Sequence, residues 1–359
     1  MCVPMSTQAV PLVRRRTLEI ALSSVMLAVI ALTFWSGQRY PALLKKLHAG
    51  SSVQTKGVIS FDALLKVSPQ MPAPTRIART SVNWLWTNRF GMYFALPFGA
   101  AMMTLMAQTA RPKRFASASA NVLCGMVAGA PMGVCTNCAT PVGQSLLYGG
   151  ASTRLTVAAM ISSPCFNPVV LAMAFVLFPL PLALARVAVP GLLIAMLPLL
   201  IPENQKALRT IDLPDIPPSL SQRLRAFFTT YGRNLLRVTM LTLPWMLLAA
   251  VLGAVIAELV PTYGTHLPVS ALGVVAIALF GTFLPVPMAF DVALAFVLYR
   301  SGVPVPYVAA LLCTLGPLSI YSITALGQQL GRGAALRLAG GTAALGCVAG
   351  WLFMLIPVR

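Results

Sequence analysis

Apolar runs separated by short basic or proline-rich stretches occupy most of the chain from residue 17 to residue 356. A helix needs about 20 mainly apolar residues to cross the roughly 30 Å hydrocarbon core of a bilayer. By that measure the pattern predicts spans at 17–36, 91–108, 117–134, 153–176, 182–201, 236–260, 267–284, 304–325 and 336–356. Two apolar pieces do not fit. The first, Pro141 to Tyr148, ends at Gly149-Gly150; a helix of about ten residues reaches only about 15 Å. The second, Leu284 to Asp291, carries Pro285 and Pro287 and runs on to Arg300. Each reads as a half-helix or one arm of a broken helix.

The order of these pieces suggests a duplication. A first repeat is expected at 91–201 and a second at 236–359, joined by a polar linker at 202–235. A basic N-terminus with the first span (1–36) and a polar loop (37–90) precede them. Gly150 and Gly302 stand at similar distances ahead of Val157-Ala158-Ala159-Met160 and Val308-Ala309-Ala310-Leu311. If each broken segment crosses the bilayer, each half has an odd number of crossings and the halves are inverted. With the N-terminus inside, 15 of the 26 Lys and Arg lie inside and 11 outside, eight of the latter in the 37–90 loop. Short loops carry most of the topological signal, and they favour this arrangement. Re-entrant segments would instead make the repeat parallel. The expected fold class is an all-α polytopic membrane protein: two related, inverted repeats with broken or re-entrant helices, plus an extra N-terminal span.

Composition sharpens the class. Of 359 residues, 58% are hydrophobic and 9% charged, where a soluble domain carries about 25% charged residues. Such a chain cannot cover a water-facing surface. The net charge of +19 comes from cations between apolar runs, where they fix orientation against anionic lipid. No aromatic-basic motif for nucleic acid is present. Arg14-Arg15-Arg16 and the run after it read as an anchor, because no small-residue cleavage site follows. Trp84-Leu85-Trp86, ahead of the 91–108 span, is expected at the aromatic belt. Gly125, Gly129 and Gly133 recur at steps of four and predict a bare helix stripe for close packing.

Candidate chemistry gathers in the segment from Gly133 to Pro168. Cys135 and Cys138 form a Cys-x-x-Cys, and Cys165 follows between Pro164 and Pro168. Thiolates suit soft ions, so the three thiols are expected to make a trigonal site; the bland alternative is three buried cysteines. A full zinc site lacks ligands, since the chain has two His, His48 and His266, both in expected loops. Pro141, Pro164, Pro168, Pro285, Pro287 and Pro317 are the expected helix breaks. Proline frees a carbonyl one turn back, and freed backbone survives in lipid only where it faces protein or a wet cavity. Asp291 is the one acid expected deep in the second half, as a proton carrier or counter-charge, with pairing to Arg300 as the alternative. Asn167, Thr314, Ser319, Tyr321 and Ser322 are polar groups beside breaks.

The run Cys135-x-x-Cys138-x-x-Pro141, the turn Gly149-Gly150-Ala151-Ser152 and the segment Ser162-Ser163-Pro164-x-x-Asn167-Pro168 resemble the predicted-permease family that includes the organoarsenical exporter ArsP. By motif the likeness covers about 130–170, and by order of elements 91–356. The chain departs from the family's Cys-x-Cys by one extra residue, and 1–90 lies outside the likeness. The resemblance implies a bacterial inner-membrane permease, not an enzyme, with Cys135, Cys138 and Cys165 contacting a thiophilic substrate. The residues themselves add Asn167, Asp291 and Ser319 to the expected substrate-contacting set, and proton-coupled export of a soft metal or metalloid species is the leading expectation. No cofactor is expected; the expected partners are the lipid bilayer, a small thiophilic substrate and protons, with no nucleic acid. Two other classes stay open: a membrane thiol-disulfide oxidoreductase using Cys135 and Cys138, and a membrane assembly or anchoring protein acting through the 37–90 loop.

Overall fold

The computed structural model describes residues 16–49, 64–108, 115, 117–202, 219–263, 268–286 and 289–356. The tail at 1–15, the cations at 111–114, His266, Pro287 and linker residues 203–218 lie outside the described residues. Every regular element among the described residues is helical. Helix α1 (Thr17–Phe34) runs through a π turn (Trp35–Arg39) into α2 (Tyr40–Ala49), and α3 spans Ala73–Ala107. Next come α4 (Ala118–Gly129) with a 3₁₀ turn to Met132, α5 (Thr136–Tyr148), α6 (Thr153–Cys165), α7 (Pro168–Leu177), α8 (Leu180–Ala195) and the short α9 (Leu197–Leu200). The remaining helices are α10 (Leu220–Tyr263), α11 (Ala271–Phe283), α12 (Phe290–Arg300), α13 (Val305–Thr314), α14 (Ile320–Leu330) and α15 (Arg332–Leu355).

Four helices are long and apolar enough to cross a bilayer: Thr17–Leu44, Ala73–Ala107, Leu220–Val255 and Arg332–Leu355. The bent pair α6 and α7, which turns by 44°, adds a fifth if the two arms make one span. These helices are consistent with an integral membrane protein. Several boundaries differ from the sequence pattern. The helix expected from residue 91 begins at Ala73, so the second part of the 37–90 loop is helical. The 202–235 linker is likewise helical from Leu220. Polar residues in these stretches lengthen helices past the apolar window, because the backbone ladder does not need apolar side chains to propagate. The runs at 117–134 and 267–284 hold helices of 12 and 13 residues, about 18–20 Å long, short of a full crossing. The run at 304–325 is cut in two at Pro317.

Two long helices form the backbone of the fold. The start of α3 meets the end of α10 through Arg76 and Glu258. The end of α3 meets the start of α10 through Asn234 Nδ2, which donates to Thr104 Oγ1 at 3.0 Å. The pair is therefore antiparallel. Trp84, rather than facing outward, is 1% exposed and packs with Met246 and Ala250 of α10. Trp86 is half-exposed under the Arg89 guanidinium, 3.7 Å from its ring centre. Helix α1 is tied to α10 by Arg223 and Glu19 at 2.8 Å.

Tight turns close two hairpins. Gly150 (φ +79°) joins α5 to α6 and Gly302 (φ +84°) joins α12 to α13, a region glycine enters without steric cost. Helices α4 and α6 touch through bare backbone: a Cβ on Gly125 or Gly129 would run into the carbonyl of Leu155 or Ala159. The stripe expected from the glycine spacing thus packs α4 on α6. Gly133 does not belong to it; at φ +59° it ends the 3₁₀ turn. The end of α8 and the start of α9 share an apolar cluster with the start of α15, where Leu193, Ile194 and Leu197 gather with Ala335, Leu338 and Ala339.

Candidate functional site

Four backbone interruptions meet in the middle of the molecule. They are the loop ahead of α5, the bend between α6 and α7, the loop ahead of α12 and the loop between α13 and α14. A small cavity between them is lined by Cys135, Thr136, Pro164, Val286, Ala289, Asp291, Leu315 and Gly316. Hydrogen bonds lock the interruptions together. Thr136 Oγ1 donates to Gly316 O at 2.5 Å. Ser319 Oγ donates to Asn137 Oδ1 at 2.8 Å, both side chains fully enclosed. Ser163 Oγ donates to Val134 O and accepts from Val134 N, at 3.3 and 3.2 Å.

The sequence dictates why helices start here. Cys135 caps α5, its sulfur accepting the Cys138 amide at 3.3 Å. Asn167 caps α7 by accepting the Val169 amide at 2.9 Å, and Pro168 occupies the first turn, where its missing N–H costs nothing. Ser319 and Ser322 form a reciprocal capping box on α14. Helix α12 starts instead after Ala289 at φ +64°, a strained conformation for a residue with a Cβ. The N-termini of α5, α7, α12 and α14 therefore all border one region, and their dipoles favour negative charge.

Not every expected proline breaks a helix. Pro141 lies inside α5 and Pro164 inside α6. Each is tolerated because the helix is short and packed against protein, and each withholds a hydrogen bond from the carbonyl four residues earlier. Pro168, Pro285 and Pro317 do fall at interruptions.

Asp291 is 3% exposed in the first turn of α12. Its partner is Arg186 of α8, which donates from Nη2 to Oδ2 at 2.5 Å; Arg300, the partner considered from sequence, is not involved. Arg186 is fully enclosed, and the charge count from sequence had set it among the outside cations. A Cβ on Gly316 would press on its guanidinium, so glycine there makes the slot in which Arg186 lies. The Cys165 thiol lies against the same guanidinium.

The three thiols expected to share a site are therefore split. Cys165 faces Arg186, while Cys135 and Cys138 sit together on the first turn of α5 with their sulfurs 2.9 Å apart. No cluster of three His, Cys, Asp or Glu exists among the described residues. The Cys pair instead meets α3: Cys138 Sγ lies 3.8 Å from Met92 Sδ, and Cys135 Sγ lies 3.7 Å from Asn88 Oδ1. Arg39, buried at the end of the π turn, extends its charge over both thiols. Sequence reasoning missed Arg186, Met92 and Arg39. An arginine inside the apolar run 182–201 was a visible signal for the first; the other two had none.

Comparison with protein-family profiles, characterised proteins and solved structures finds no match.

Proposed function

We propose that the protein is a membrane permease whose substrate passes through the central cavity. The observation that carries this reading is the meeting of four backbone interruptions, from both parts of the chain, around one cavity holding an acid and a thiol. In lipid, interrupted backbone is tolerated where it faces protein or lines a wet cavity, and paired broken helices mark transporter sites. Helices α3 to α8 and α10 to α15 are the two repeats. Under that pairing the contact between α5 and α14 has its counterpart in α12 and α7, that between α4 and α6 in α11 and α13, and that between α6 and α8 in α13 and α15. The equivalent pair α3 and α10 runs antiparallel, which supports inversion. The pairing is imperfect, since α3 packs on α5 while no comparably extensive packing of α10 on α12 is seen among the described residues.

The cargo is a soft metal or metalloid species, because Cys135 borders the cavity with Cys138 behind it. Export against a proton gradient uses Asp291. When Asp291 takes a proton, its bond to Arg186 weakens and the interruptions around it are free to rearrange; the reverse step returns the proton on the other side. The resemblance between residues 130 and 170 and the ArsP-containing permeases supports the same substrate class and the bacterial inner membrane.

The test is uptake into inside-out vesicles of a deletion strain carrying the chain, with silver, copper(I), arsenite, antimonite and an organoarsenical as cargoes. Cys135→Ser and Cys138→Ser are expected to abolish uptake at unchanged protein level, and Asp291→Asn to remove its dependence on the proton gradient. Uptake of no cargo, with a Cys135–Cys138 dithiol that cycles on quinone addition, would mark the oxidoreductase instead.

A further inference from the structure

Met92, Cys135 and Cys138 bring three sulfur atoms together beside the cavity that Cys135 borders, and Arg39 lies buried near them. We propose that these three residues form a three-sulfur site for a single monovalent soft cation, Cu(I) or Ag(I), balanced by Arg39. The assignment of that ion as cargo rests on the permease reading; the site itself does not.

Geometry comes first. Three sulfurs around one soft ion, with bonds of about 2.3 Å, stand about 4 Å apart. Met92 Sδ and Cys138 Sγ are already 3.8 Å apart. The 2.9 Å gap between Cys135 and Cys138 would widen by about 1 Å on a small turn of the Cys135 side chain, for which the cavity bordering that residue leaves room. Gly91 lets α3 approach closely enough, because a Cβ there would meet the Cys138 sulfur. Met92 and Asn88 lie one turn apart on α3, so one helix face supplies the thioether and the amide oxygen that meets Cys135. Thiolate and thioether together are the ligand set that selects Cu(I).

Charge comes second. Binding releases one proton from each thiol, leaving two thiolates. Two negative charges, one monovalent cation and the Arg39 guanidinium sum to zero, which a buried site requires. A divalent ion in the same place leaves one uncompensated positive charge. Arg39 is placed for this purpose and for little else visible. It is buried against the Phe34 ring, 4.4 Å from its centre, and its Nε has no hydrogen-bond partner among the described residues. The π turn Trp35–Arg39 aims it inward, anchored by Trp35 Nε1 donating to Pro131 O. The N-terminal helix, outside the two repeats, thus closes the sulfur site from above.

The experiment uses the full-length chain purified in mild detergent and loaded with Cu(I) or Ag(I) under reducing conditions. X-ray absorption counts the sulfur neighbours, and competition with a chromogenic Cu(I) chelator gives affinity. One ion per chain with three sulfurs is expected. Met92→Leu, which keeps volume, should leave two sulfurs; Cys135→Ser should abolish the site. Arg39→Leu should weaken Cu(I) by about 10–100-fold and improve the competition of Zn(II) against it. Two sulfurs in the unmodified chain, three still present in Met92→Leu, or Zn(II) bound as tightly as Cu(I) would each overturn the proposal. Thiol-dependent vesicle uptake with no three-sulfur ion would sink the site and leave the permease standing; the three-sulfur ion with no uptake of any cargo would do the reverse.

Discussion

Cutting the Arg186–Asp291 pair from each side should give unequal damage. The two side chains are 0% and 5% exposed and meet at 2.5 Å. With charge centres about 4 Å apart and an effective dielectric near 20, their attraction is about 4 kcal/mol. Removing one partner of a buried pair costs about 3–5 kcal/mol, because the other charge is stranded. The two charges differ in their escape. Arg186 cannot shed its proton, so Asp291→Leu should cost the full amount. Asp291 borders the cavity and can take up a proton, so Arg186→Met should cost less, about 1–3 kcal/mol, the price of an unsatisfied buried polar group. The double variant should lie within about 1 kcal/mol of the parent, since replacing both ends with apolar groups is near neutral. Unfolding of the purified chain, followed by circular dichroism against SDS mole fraction, measures all three. Equal single effects, or a double variant as unstable as Asp291→Leu, would refute the reasoning that this pair is enclosed on the Arg186 side and borders a cavity on the other.

Three further substitutions probe the surrounding frame. Gly129→Ala should destabilise by about 1–3 kcal/mol in the same SDS titration, because the new Cβ meets the Ala159 backbone, while Gly37→Ala, with open space around it, should change nothing. Gly316→Ala should push Arg186 off Asp291 and lose vesicle uptake with the helix content intact, matching Arg186→Met; normal uptake would show that the slot at Gly316 is slack. Ser319→Ala removes the α14 cap and the bond to Asn137 and should cost about 1 kcal/mol, read as a lowered Tm in detergent.

How much of this was readable beforehand follows from how local each signal is. Membrane class, the interruptions at Pro168, Pro285 and Pro317, and the hairpin glycines Gly150 and Gly302 are set within a few residues, by the length of an apolar run, a missing N–H or a positive φ. They could be read. Helix ends in polar sequence could not, because the apolar window marks where lipid begins, and α3 and α10 extend beyond it as a packed antiparallel pair. The site's contents were least legible. Cys135 and Cys138 are three residues apart and fell together; Cys165 is close in sequence but is drawn to Arg186 instead. Asp291 lies 105 residues from its partner and Cys138 lies 46 from Met92. Nothing local distinguishes Met92 from the other methionines of a greasy helix. Only the fold sets α3 across the mouth of α5, and it is that crossing which turns a two-cysteine motif into a three-sulfur cluster beneath an arginine. On the three-sulfur proposal, replacing the α3 residues at the Cys pair should alter which ion is held before it alters whether the chain folds.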